Sequence, residues 1–149
     1  MYLFVKFVHI IAAMVFFGLP IVFGRWFGTA WNEGAAPAID RMLRQMKRYL
    51  FFHLNLCGIL LLFTGWWMAS SLKLPLNEGW LLLGLAGFLV SLVNLNLLAA
   101  ALQAHTRDQG AVDLPSLRSL RRRLIGFSAL HHTLVTAVTA LMVFRPAWP

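Results

Sequence analysis

Histidine is the recurring chemical element of this sequence. His9, His53, His131 and His132 fall inside long apolar stretches, and His105 sits at the edge of another. Ionisable and strongly polar groups are costly in such surroundings, so each is a functional candidate ahead of any other residue. The stretches also hold Asn55, Asn94 and Asn96 but no Asp or Glu. Proton relays and cation transport built on intramembrane carboxylates lose most of their weight. Neutral imidazole, by contrast, binds haem iron, copper and zinc. The single cysteine, Cys57, excludes an internal disulfide framework and a multi-cysteine metal cage.

Two imidazoles on one iron must lie at nearly the same depth. From a helical rise of about 1.5 Å per residue, His53 lies roughly 6 Å in from one edge of its span, and His131 or His132 roughly 10–12 Å in from that same edge. His9 enters from the opposite side, roughly 10 Å deep. His53 with His131 or His132 is therefore the better-matched pair, and His9 is either a third ligand or the centre of a separate site. Adjacent residues differ by about 100° around a helix, so His131 and His132 cannot point at one partner. His132, Thr136 and Thr139 share a face by i, i+4, i+7 spacing. That spacing predicts a polar stripe directed into a bundle and favours His132 as the ligand. His131 is left for a neighbouring polar contact or a second site.

Arg48 lies about one turn from His53 and Arg123 about two turns from His131. Both are placed to pair with the propionates of a haem. Three readings compete: haem held by histidines from different helices, copper handling with Met14, Met68 and Met142 as soft ligands, and hydrogen-bonded packing histidines in a cofactor-free accessory subunit.

The elements that must position these residues follow from composition. The chain has 149 residues, 60% hydrophobic and 12% charged, with a mean hydropathy of +0.73. That charge is too sparse to cover a soluble surface and marks a membrane protein of one domain. A bilayer core of about 30 Å takes roughly 20 apolar residues. Four stretches meet that length: Tyr2 to Gly24, Tyr49 to Leu72, Trp80 to Ala104 and Leu124 to Phe144. The first is too long, and lacks the basic start and small-residue cleavage site, to read as a signal peptide.

The net charge of +8 is concentrated in two connections. Arg25, Arg41, Arg44, Lys47 and Arg48 lie between the first two stretches, and Arg107, Arg118, Arg121, Arg122 and Arg123 between the last two. This distribution suits anionic lipid and topology rather than nucleic acid. Under the positive-inside rule the two basic loops face the cytoplasm and both termini the other side. Within the first loop, Pro37 to Arg48 alternates apolar and charged residues at helical spacing and predicts an amphipathic basic stem. Asp113-Leu114-Pro115-Ser116 reads as a turn or helix start. The tryptophans fall near the ends of the spans, as interfacial anchors do.

The opening Val5-Lys6-Phe7-Val8-His9-Ile10-Ile11-Ala12-Ala13, followed by Gly18-Leu19-Pro20 and Arg25, resembles the first helix of a group of bacterial membrane proteins. The group includes the HemJ-type protoporphyrinogen oxidases and the CopD-type copper-resistance proteins. Gly79-Trp80-Leu81 and the terminal Arg145-Pro146 are also similar to the HemJ type. The resemblance implies haem b in a bacterial cytoplasmic membrane, with His9 as a ligand or essential residue, and haem binding ahead of the particular enzyme. The expectation is thus an all-α, up-down four-helix membrane bundle that binds haem b and acts in electron transfer or oxidation. Its partners would be lipid together with quinone, a porphyrin substrate or a respiratory complex.

Overall fold

The computed structural model describes residues 1–34, 36–107 and 114–145, excluding the side chains of residues 36, 105–107 and 114–116. Every regular element among them is helical: α1 (Tyr2–Asn32), α2 (Ala36–Tyr49), a short π-helical segment (Leu50–Leu54), α3 (Asn55–Ser71), α4 (Gly79–Arg107) and α5 (Leu114–Phe144). Because α2, the π segment and α3 run on without a break, Pro37–Ser71 is one rod of 35 residues, about 52 Å long. Among the described residues, four helices are long and apolar enough to cross a membrane. Asp113 lies outside the described residues, and α5 begins directly after it.

The helices overrun the spans read from hydropathy, all at the basic end. There α1 continues past Arg25 to Asn32, and α5 starts at Leu114 rather than Leu124. The reason is a second, water-side core. In α2 the apolar stripe Ile39, Met42, Leu43 and Met46 is buried, with Leu43 fully so. It packs with Phe27 of α1, Leu102 of α4, and Leu117 and Leu120 of α5 into one cluster. Outside the bilayer, water drives this burial as it would in a soluble bundle. Within the bilayer no such pressure exists, and Phe4, Phe7, Ile59, Phe63, Val90 and Val93 face outward.

Around the bundle, α1 packs on α3 and on α5, and α5 packs most extensively on α4. Asn55 and Asn96 close the ring between α3 and α4 through reciprocal amide bonds of 3.2 and 3.0 Å. Beside them Leu92 occupies the space a Cβ at Gly58 would need, 2.9 Å from its Cδ1. Asn94 crosses to α5, donating to the Phe127 carbonyl at 2.9 Å. The asparagines thus bond between helices.

At the opposite end, α3 stops in a Schellman motif: Leu74 N–H donates to Ala69 O and Lys73 N–H to Ser70 O. Lys73 takes the left-handed position, φ 52°. The tryptophans divide. Trp26 and Trp66 are exposed, as anchors should be, whereas Trp80 is buried beneath the Arg145 guanidinium, 5.4 Å from its ring centroid. Trp148 lies outside the described residues.

Candidate ligand site between α1 and α5

Three of the four span histidines are held by specific hydrogen bonds, and their tautomers follow from their partners. Pro20 stands inside α1 and brings no N–H, so the Phe16 carbonyl four residues earlier lacks its helical donor. His131 supplies it. Its Nε2–H donates to Phe16 O at 3.1 Å, and its Nδ1 accepts from the Ser91 hydroxyl at 2.7 Å. With both nitrogens engaged and the side chain fully buried, His131 is a clasp joining α5, α1 and α4. It realises the neighbouring polar contact, and in this arrangement it has no lone pair to offer a metal.

His132 is arranged differently. Its Nδ1–H donates to the Ser128 carbonyl at 2.6 Å, with the Ser128 hydroxyl 3.3 Å away. The ring meets Phe17 edge-on at 5.3 Å between centroids. Nε2 therefore carries a lone pair, and it is buried without a hydrogen-bond partner among the described residues. A buried unsatisfied group costs about 1–3 kcal/mol. His132 lines a cleft of about 240 Å³. Pro20, Gly24 and Phe27 of α1 form one wall, and Leu124, Ile125, Ser128 and Ala129 of α5 the other. Met46, Leu50, Leu95 and Leu98 close its back. At the basic end, the Arg121 guanidinium lies 5.0 Å over the Trp31 ring.

His9 repeats the pattern of His132 elsewhere. The Thr64 hydroxyl donates to the Leu60 carbonyl at 2.5 Å, so its oxygen accepts from His9 Nδ1–H at 2.7 Å, leaving Nε2 as an acceptor. The ring rests on Gly65, where a Cβ would approach His9 Cε1 to 3.4 Å. His9 precedes Phe17, the ring facing His132, by eight residues, about 12 Å along the helix. The two imidazoles cannot share one iron.

The pairing of His53 with His132 is corrected by the structure. Leu50, one turn before His53, lines the same cleft as His132, so the depths are comparable, but the directions are not. Leu50 and Leu54 take the inward positions of the π segment, and His53 is left exposed on the outer face. It lies against Tyr49 and Phe52 with centroids 4.8 and 5.6 Å away. The polar stripe is corrected too: Thr136 and Thr139 are exposed, and Thr139 donates to its own helix at Val135 O. Arg48 and Arg123 are both exposed, and neither lines the cleft. The side chain of His105 lies outside the described residues. Sequence reasoning passed over Ser91, Ser128 and Thr64, which set the histidine tautomers. A Ser or Thr facing a span histidine, and a proline four residues after a carbonyl, were the available signals.

Fold and site together define a four-helix membrane protein with one histidine lining a cleft between α1 and α5. The chain belongs to the DUF2269 family of predicted integral membrane proteins, whose model matches residues 3–146. No curated protein and no solved structure matches it. Membership establishes an integral membrane protein and carries no cofactor or activity with it.

Proposed function

We propose that this protein is a membrane redox protein that holds haem b in the α1–α5 cleft, with His132 as its axial ligand through Nε2. The observation that supports this reading is the buried, partnerless Nε2 of a histidine whose Nδ1–H is pinned to a carbonyl. Ligating histidines are commonly held in this way, the second nitrogen fixing tautomer and ring direction. Among the described residues no group of three or more His, Cys, Asp or Glu side chains converges. A copper ion bound by side chains alone would need such a cage or a thioether set, and Met14 and Met142 are exposed. Haem brings four ring nitrogens of its own and asks the protein for as little as one imidazole and an apolar slot; at about 240 Å³ the cleft would take it only with α1 and α5 parted.

His132 would hold the iron, Phe17 would bear on the imidazole, and the leucines behind the cleft would exclude water. Bound there, haem supplies a one-electron iron couple inside the bilayer. Ligation by a single histidine predicts a high-spin haem that binds carbon monoxide, unlike a bis-histidine centre. The check is an absorption spectrum of the detergent-purified protein, oxidised, reduced and carbon monoxide-treated. His132→Ala should abolish the Soret band or displace it, and His53→Ala should leave it unchanged. Wild-type protein that takes up no added haem would end the reading.

A second reading rests on the cleft's size. At about 240 Å³ it falls below the roughly 300–1,000 Å³ of most small-molecule sites. A hydroquinone, slim and lipid-soluble, would donate a hydroxyl to the bare Nε2 without parting α1 from α5. Saturable binding of a hydroquinone analogue, lost in His132→Ala while haem uptake is absent, would favour it.

A further inference from the structure

Along the rod Pro37–Ser71 one line of residues keeps to the interior: Met46, Leu50, Leu54 and Gly58 are all buried. A constant spacing of four does not suit an α-helix. At 3.6 residues per turn, twelve residues would carry Gly58 about 120° away from Met46. The π segment Leu50–Leu54 lies in the middle of this line and widens the turn, so residues four apart stay nearly in register. The outward line benefits equally. Tyr49 and His53, four apart, lie ring against ring at 4.8 Å. Arg48 and Phe52, again four apart, are exposed beside them.

This outer surface carries a continuous row of rings. Phe23 of α1 meets Trp26 at 5.9 Å and Tyr49 at 5.5 Å between centroids, and His53 meets Phe52 at 5.6 Å. Arg48 is the last cation before the apolar run that opens at Tyr49, so the row stands where hydrocarbon meets headgroups, the level that suits Trp and Tyr. Rings alone would make an anchoring belt. The polar atoms ask for more. The side chains of Arg48, Tyr49 and His53 have no hydrogen-bond partner among the described residues, whose one ion pair joins Arg44 to Asp40. An imidazole turned toward lipid is costly unless the lipid itself brings a polar partner. A phosphodiester at this depth offers acceptors to all three donors and a charge opposite to that of arginine. Its chains would run on over Phe52 and Leu56, which are exposed.

We propose that Arg48, Tyr49 and His53 form a site for one anionic phospholipid of the leaflet at the basic end, with its phosphate held by Arg48 and His53. A zwitterionic headgroup would bring its own cation to a surface already rich in arginine, so the anionic one is preferred. The site lies on the outer face of the rod and is independent of what the α1–α5 cleft holds.

The test titrates the full chain in detergent with phosphatidylglycerol and with phosphatidylcholine of the same chains, counting bound lipid by native mass spectrometry. Phosphatidylglycerol should fill one saturable site about tenfold more tightly than phosphatidylcholine. Arg48→Gln should weaken it by about tenfold and His53→Ala by about threefold. His53→Gln retains a donor and should bind nearly as the wild type does, which guards against a folding defect in the Ala variant. Arg41→Gln removes the same charge from the same helix, about 10 Å farther into water, and should match the wild type. Equal affinity of the wild type for the two lipids would overturn the site. So would an Arg41→Gln loss as large as that of Arg48→Gln, which would show diffuse charge instead, or a His53→Gln loss as large as that of His53→Ala, which would show packing.

Discussion

His131 and Pro20 form one device at the scale of single residues. The proline removes a helical donor, and the imidazole of a distant helix restores it while a serine fixes its tautomer. His131→Ala should cost about 2–4 kcal/mol, from an unsatisfied carbonyl and hydroxyl together with the lost ring packing. In Pro20→Ala the substituted residue brings a backbone N–H back to the Phe16 carbonyl, so His131→Ala should cost less in that background. A double-mutant cycle followed by unfolding in mixed micelles measures the coupling; additive costs would show that the carbonyl is not what His131 serves. His132, one position along, lacks any such second partner, and that difference separates a structural histidine from a ligand candidate.

At the scale of elements, one chain meets two solvents. The basic end of the bundle is organised by water and carries a soluble-type core, with Leu43 and Leu117 fully buried. The spans are organised by interhelical hydrogen bonds and close contacts such as Asn55–Asn96 and Leu92 on Gly58. Leu43→Ala should therefore destabilise by about 2–5 kcal/mol. Ile59→Ala, at a residue 61% exposed to the bilayer, should change stability by less than about 1 kcal/mol in lipid. Thermal unfolding in nanodiscs compares the two, and comparable losses would mean that the outer face of α3 is covered by another protein.

For the whole molecule, the long helices set their basic ends to one side, so orientation becomes a question of charge alone. The expectation is that the α1–α2 and α4–α5 connections face the cytoplasm and both termini lie opposite. Reporter fusions at the C-terminus check this: an alkaline phosphatase fusion should be active and a fluorescent-protein fusion dark, and the converse would reverse the topology. The α1–α5 cleft is bounded by a thinner seam than α4–α5 or α1–α3.

Span number, helical class and the amphipathic stem were legible in the residues themselves. Long apolar runs without charge have one stable form in a bilayer, a helix that satisfies its own backbone. In α2, which water touches, the pattern of Ile39, Met42, Leu43 and Met46 also told which face is buried. Order along each span was readable too, since rise per residue is constant. Direction around the helix was not. Lipid accepts apolar side chains as readily as the bundle interior does, so hydropathy sets no azimuth within a span. Only the packing of α1 against α3 and α5 decided that His53 turns outward, that His131 is consumed by Phe16 and Ser91, and that His132 lines the cleft.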